Sequence, residues 1–352
     1  MAQEKESKSI VISTRIRLAR NFAAYPFPHK MDEGQAEDVL HLVEEGLKQL
    51  DEFVCYPIGE MSEEKALLLQ ERHLISPALC KSKYGAAFVA ADELTSVMVN
   101  EEDHLREQYI HKGVELYKGD ELQKGANLYA AYERICALDD GLGSLYDFAF
   151  DKKLGYLTAC PSNLGTGMRA SVMMFLPGIG KNGELKKVIP SLKVNGMTVR
   201  GAFGEGTTAE GHVYQVSNER TLGRSEEDIL ELVKDTVNVL CDLENRARED
   251  ILTTAKLETL DRCLRSYGVL TNCAKLELKE FFAKIEDVKL GVALGFFESV
   301  NFDELHDFID GMRPTVFKIK NDLQDATGEE TEAVRAETAC TVLPRLVRVA
   351  KK

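Results

Sequence analysis

Five arginines stand at or beside the ends of predicted strands. Arg15 and Arg17 fall in Ser13-Thr14-Arg15-Ile16-Arg17. Arg106 closes Asn100-Glu101-Glu102-Asp103-His104-Leu105-Arg106. Arg169 lies in Cys160-Pro161-Ser162-Asn163-Leu164-Gly165-Thr166-Gly167-Met168-Arg169-Ala170, and Arg200 opens Arg200-Gly201-Ala202-Phe203-Gly204-Glu205. A guanidinium is planar, stays charged and grips two oxygens through parallel hydrogen bonds, so several of them can cradle a polyphosphate. Two on one strand face are costly to bury unless an anion stands opposite. Glu102, four residues before Arg106, and Glu205, five after Arg200, would set a base beside a phosphate ligand. Taken singly, each segment has a plainer reading: an ion-paired strand edge, a solvated acidic turn, a flexible glycine loop.

Cys160 falls between a predicted strand, Leu154 to Cys160, and a predicted helix from about Thr166 to Leu176 that Pro177 would stop. A thiol at a helix N-terminus feels the helix dipole and ionises more readily; the alternative is an inert buried thiol. Gly165, Gly167 and Ala170 also spell G-x-G-x-x-A, the outline of a dinucleotide fingerprint. Four residues separate the strand from the first glycine, and the motif does not head a β-α-β unit, so a nicotinamide site is disfavoured. The chain contains no G-x-x-x-x-G-K run, which excludes a P-loop at motif level.

The elements that must position these residues follow from periodicity. Ser9 to Arg20 alternates, with Ile10, Ile12, Thr14, Ile16 and Leu18 on one side and Ser13, Arg15 and Arg17 on the other, as in a strand. Asp32 to Leu50 reads as a helix with an Asp32/Gln35 capping pair, and Glu63 to Leu74 as another. Tyr84 to Ala90 and Thr95 to Asn100 form a hairpin around Ala91-Asp92-Glu93. Met197 to Phe203 and His212 to Ser217 are strands flanking the glycine-rich link 204–211. Ser225 caps a long helix through Asp250, with a stripe of Ile229, Leu232, Val233, Val237, Leu240 and Leu243. Strands without regular β-α alternation predict an α+β fold, a mainly antiparallel sheet flanked by helices. The text turns helical beyond Thr254, dividing the chain into 1–254 and a smaller helical domain, 255–352.

Composition narrows the partners. A net charge of -14 argues against general nucleic-acid or membrane-surface binding but leaves room for a small anion. The eight cysteines form no C-x-x-C pair, and the chain opens without a signal-peptide pattern, so reduced thiols in a cytoplasmic protein are expected.

Together the four segments resemble, in order and wording, the signatures of the ATP:guanido phosphotransferases, the family of creatine and arginine kinases. STRIRLARN, NEEDHLR, CPSNLGTGMRASV and RGAFGEGTTAEGHVYQVSNERTLGRSE carry the resemblance from about Ser9 to Asp250. HLISPAL, VMVNEEDH, RASVMM, GEGTTAEG and SYGVLTNC resemble the bacterial protein-arginine kinase branch (McsB type). The resemblance implies a guanidine kinase, or glutamine-synthetase-like, catalytic fold. It implies ATP as phosphoryl donor, with Mg²⁺ arriving on the nucleotide and held by phosphate oxygens and water. It implies nucleotide ligands at Ser13, Thr14, Arg15, Ile16 and Arg17; at His73 and Arg106; at Arg169, Ala170, Ser171, Val172 and Met173; and at Arg200, Gly201, Ala202, Phe203, Gly204 and Glu205. Glu102 and Glu205 match the carboxylate pair that clamps the acceptor guanidinium, and Cys160 matches an assisting cysteine.

The acceptor is expected to be arginine in proteins. Small-guanidine kinases carry a helical domain ahead of the first arginine motif, whereas Arg15 lies almost at the start here. They also have aspartate where Gln215 stands, in YQVSN. The alternatives are a kinase of a small free guanidine and a silent phosphoarginine-binding adaptor. The resemblance further implies a homodimer built by the C-terminal region, protein substrates with exposed arginines, an activator, and a protease or chaperone system for protein quality control. The branch's R-D-x-x-R-A phosphoarginine sensor is degenerate here, as Thr331-Glu332-Ala333-Val334-Arg335-Ala336.

Overall fold

The computed structural model describes residues 10–112, 126–201, 210–299 and 301–350. The opening alternation folds as strand β1 (Val11–Arg20), with Ile16 and Leu18 fully buried. Helix α1 (Glu33–Leu47) starts at Asp32, whose carboxylate accepts from Gln35 N while the Gln35 side chain accepts from Asp32 N. Strand β2 (Phe53–Pro57) leads to α2 (Glu63–Glu71) and then to the hairpin β3 (Ala86–Ala90) and β4 (Thr95–Val99). Strand β5 (Leu105–Lys112), helix α3 (Ala126–Leu145) and the short β6 (Phe150–Asp151) and β7 (Gly155–Tyr156) follow. Next come β8 (Met168–Phe175), α4 (Pro177–Lys181), α5 (Glu184–Val194), β9 (Met197–Gly201) and β10 (Val213–Asn218). The long α6 (Glu226–Thr254) begins in a Ser225/Asp228 capping box.

Eight of these strands form one sheet in the order β2-β3-β4-β5-β1-β8-β10-β9, and every pairing is antiparallel. One face packs on α1, α3 and α6: Ile16, Leu18, Ala170, Val172 and Val216 meet Val43, Ile135, Val233 and Leu240 in a continuous core. Burying each such aliphatic side chain contributes about 1.5–3 kcal/mol, so this face holds the sheet in place. The opposite face at β1, β5, β8, β9 and β10 carries the polar set.

The helix expected over Thr166 to Leu176 is instead β8. Methionine and alanine suit helices, but Met168, Ala170, Val172 and Met174 alternate into the core, at 0 to 4% exposure, between hydrogen-bonded neighbours β1 and β10. Pairing on both edges overrides local preference. Pro177 therefore opens α4 rather than stopping a helix. The strand expected over Leu154 to Cys160 shrinks to Gly155–Tyr156.

The remaining elements are α7 (Lys256–Leu270), α8 (Leu278–Ala293), β11 (Phe297–Ser299), α9 (Phe302–Asp310), α10 (Pro314–Lys320), α11 (Gly328–Leu346) and β12 (Val347–Val349). They enclose a second core around Phe281, Ile285, Phe317 and Leu343. This part is fastened to the sheet at two places. Glu71, at the end of α2, accepts from Thr315 N, Thr315 Oγ1 and Val316 N, capping α10 from across the chain. On the other side Glu286 pairs with His212 at 2.8 Å and Lys181 at 3.4 Å.

Candidate active site

The register settles where the arginines point. Residues opposite one another on paired strands share a face. Arg17 faces Arg169 across β1 and β8; Arg15 faces Ser171; Arg106 is opposite Ala19, on the same parity as Arg17; and Arg200 is opposite Gln215, which is opposite Met173. All five arginines therefore stand on the face turned away from the main core. Burial, then the charges of Arg169 and Arg106, push Arg15 down to about 10. Burial, then Arg15, Arg106 and Arg169, hold Arg17 well below the usual arginine value. At neutral pH Arg15 remains a cation. Like charges this close oppose one another by on the order of 1–3 kcal/mol per pair, and Arg17 Nε has no hydrogen-bond partner among the described residues. A polyanion relieves both penalties at once.

Among the other residues named from sequence, Ser13, Ser171 and Met173 share the arginine face. They line a cavity of about 460 Å³ with Arg15 and His73. Thr14, Ile16, Ala170 and Val172 are turned into the core, at most 4% exposed, so they carry the sheet rather than present side chains to a ligand. Gly201 ends β9, and Ala202, Phe203, Gly204 and Glu205 lie outside the described residues. His73 sits just past α2 in a left-handed backbone conformation, φ 62, and its carbonyl accepts from Gln108 Nε2. Burial, then Arg313, pushes its imidazole down to about 4.

Two neighbouring carboxylates divide the work at the acidic turn. Glu101 takes the inward place: its side chain is 4% exposed, accepts from Arg106 Nη1 at 2.9 Å, and accepts from the Ser76 hydroxyl. Glu102 is 43% exposed and reaches Arg106 Nη2 at 3.4 Å, beside an open cavity of about 330 Å³ lined by His29, Tyr84 and Ala159. Asp103 Oδ1 accepts from Ala159 N and Asn21 Nδ2, both at 2.7 Å, and so ties the Glu102 turn to the Cys160 loop. His104 N donates to Asn21 Oδ1. Glu101, Asp103 and Asn21 were within the quoted runs; nothing in their types distinguished a positioning carboxylate from a reacting one.

Cys160 precedes a three-residue 3-10 turn, Pro161–Asn163, and no α-helix starts there, so the helix-dipole argument for its thiol falls. Its Sγ lies 3.0 Å from Ser162 Oγ. The loop is held by Thr221 Oγ1, which donates to the carbonyls of Ser162 and Leu164. The G-x-G spacing has a steric cause. A Cβ at Gly165 (φ +110) would come within 2.7 Å of Thr221 O, and one at Gly167 (φ +66) within 2.6 Å of Ala19 O.

The family model for the ATP:guanido phosphotransferase C-terminal catalytic domain matches residues 36–247, and that for the protein-arginine kinase McsB C-terminal domain matches 256–348. The fold is that of the guanidino kinases, and the chain belongs to the ATP:guanido phosphotransferase family. It is 39% identical to a protein-arginine kinase of Geobacillus sp. (strain WCH70) over 88% of this chain and 84% of that protein. It is 38% identical to one of Bacillus subtilis (strain 168), over 88% and 83%. Among solved structures, lombricine kinase superposes with a TM-score of 0.58 at 27% identity, covering 68% of this chain and 67% of that one. The duplicated taurocyamine kinase from Schistosoma mansoni with bound transition-state-analogue components gives 0.60 at 25% identity, covering 77% and 38%.

Proposed function

We propose that this protein transfers the γ-phosphoryl group of MgATP to the guanidino group of arginine residues in proteins. The observation that carries the proposal is the set of five arginines on one sheet face, with Glu102 at its edge. The names of the relatives, protein-arginine kinase, support the acceptor. Arg15, Arg17, Arg106, Arg169 and Arg200 hold the triphosphate and spread the charge that builds on the transferring group. Mg²⁺ enters as part of the nucleotide. The acceptor guanidinium has no free lone pair at neutral pH. Glu102 and Glu205 clamp its N–H groups and align one nitrogen in line with the γ-phosphorus. As the N–P bond forms and the bond to the β,γ-bridging oxygen breaks, ADP leaves and a carboxylate takes the nitrogen's proton. Glu101 holds Arg106, and Cys160 assists at the guanidinium.

The proposal includes a division near residue 254 into a catalytic and a C-terminal domain. The separate core after α6 and the flanking spans of the two family models support it. A cytoplasmic homodimer follows the same reading, supported by α7 exposing Leu257 at 80% and Leu264 at 37%. No helix among the described residues is long and apolar enough to cross a membrane.

Mass spectrometry of an unfolded basic protein after MgATP treatment, under conditions that preserve P–N bonds, should find phosphoarginine. Label appearing on free arginine alone refutes a protein acceptor. Glu102→Gln and Glu205→Gln should each lower transfer by about 10²–10⁴-fold while MgATP still binds; unchanged rates refute the clamp.

A further inference from the structure

Away from the arginine face, two cysteines from distant parts of the chain meet. Cys273 lies in the connector between α7 and α8, and Cys340 stands on α11. Both thiols are free and partly buried. Cys340 Sγ donates to the carbonyls of Cys273 at 3.4 Å and Leu270 at 3.7 Å, and the two thiols also hydrogen-bond to one another. Two sulfurs 67 positions apart in sequence are thus neighbours in space.

The surroundings hold the pair together. Leu276 N donates to Glu332 O, Arg335 Nη1 donates to Leu276 O, and Lys275 pairs with Glu332 at 3.1 Å, so the connector is stitched to the turns of α11 just before Cys340. Cys273 packs against the second core, to which α11 contributes Ala336, Ala339 and Leu343. Partners ordered in advance react without first giving up chain freedom. Burial, then Cys340, pushes the Cys273 thiol up. The thiolate is the reacting form, so the pair stays reduced until an oxidant is in excess.

We propose that Cys273 and Cys340 are a reversible oxidation site, joined as a disulfide by hydroperoxides. One sulfur, as thiolate, attacks the O–O bond of hydrogen peroxide and becomes a sulfenic acid, and the departing hydroxide takes up a proton as water. The second sulfur then displaces hydroxide from the first, and that hydroxide leaves as a second water with the second thiol's proton. Two thiols and one peroxide give one disulfide and two waters; the sulfurs lose the two electrons that the peroxide gains. The loop so closed contains α8, α9 and α10, and with them Glu286 and Thr315, which fasten this part of the chain to the sheet. Closing a long loop restricts the unfolded chain and so favours the folded state. Reduction by a dithiol restores the starting pair.

Peptide mass spectrometry of the full chain, reduced and then exposed to hydrogen peroxide, reads the link directly. A cross-linked peptide joining Cys273 to Cys340 is expected, lighter by two hydrogens than its parts and lost again with dithiothreitol. Its formation should quicken as pH rises from about 7 to about 8.5. In urea the unfolding equilibrium constant of the oxidised C-terminal part should be about 10- to 1000-fold smaller than that of the reduced one. Cys273→Ser and Cys340→Ser should each abolish the cross-link and this gain, whereas Cys55→Ser, at an exposed thiol, should keep both. Sulfinic acid at either position without a cross-link overturns the site, as does pairing of either sulfur with another cysteine or with a second copy of the chain. An oxidised chain no more stable than the reduced one refutes the closed loop. The wild-type peptide decides the site even if a serine variant fails to fold.

Discussion

Arg17 and Arg20 lie three residues apart on β1 and face opposite sides of the sheet. Arg20, 1% exposed, donates from Nε and Nη2 to Asp139 at 2.9 and 2.7 Å, and from Nη1 to two carbonyls. Its guanidinium also lies 3.6 Å from the Tyr156 ring centroid. Burial draws its pKa down, but Asp139 outweighs this and raises it. Arg248 is treated likewise, donating to the buried Glu244, whose other bonds cap the start of α4. Arg17 instead faces Arg169. One set of arginines is neutralised by carboxylates within the chain and serves the scaffold. Arg15 and Arg17 are held against the like charges of Arg106 and Arg169, a penalty that an anion from outside would relieve.

The largest test of this contrast is Arg20→Met. It strands Asp139 beside Glu107, whose carboxyl burial and then Asp139 hold well above the carboxylate range. A loss of about 3–5 kcal/mol is expected in urea unfolding. Next, MgATP at a hundred times its Kd should stabilise the wild-type chain by about 2.7 kcal/mol, read as a melting shift that Arg20 variants retain if they fold. Arg17→Met should leave the ligand-free protein as stable or slightly more so, while MgATP affinity by calorimetry falls between about 10-fold and 100-fold. If it destabilises the free protein as much as Arg20→Met, the contrast between the two sets is wrong.

A further test concerns His73. Its folded pKa, about 4, is below the ordinary 6.5. The unfolded chain therefore takes up a proton that the folded chain does not, and stability present above pH 6.5 is lost as pH falls toward about 4. Asparagine tolerates the left-handed conformation at this position. In His73→Asn the unfolding free energy should vary less over that window, checked by urea titrations at pH 7, 5.5 and 4.5.

How much of this could be read from the chain differs by element. The β1 alternation, the Asp32 and Ser225 caps and the α6 stripe are local patterns, and each folded as expected because hydrogen bonds and burial at those places depend on near neighbours. The arginine runs suggested phosphate ligands only through family resemblance, and the register shows that they share one face. The segment from Met168 to Phe175 was misread because its residues suit either state; only β1 and β10, distant in sequence, made it a strand and put Arg169 opposite Arg17.

Residue types alone determined that several permanent cations and a few carboxylates accompany a sheet with one apolar face. Tertiary structure decided the rest. Antiparallel register brought five arginines from four segments onto one face. Packing around the acidic turn put Glu101 inward onto Arg106 and left Glu102 outward. Charge and hydrogen-bonding capacity belong to single residues, whereas which charge meets which depends on contacts between segments that no local pattern encodes.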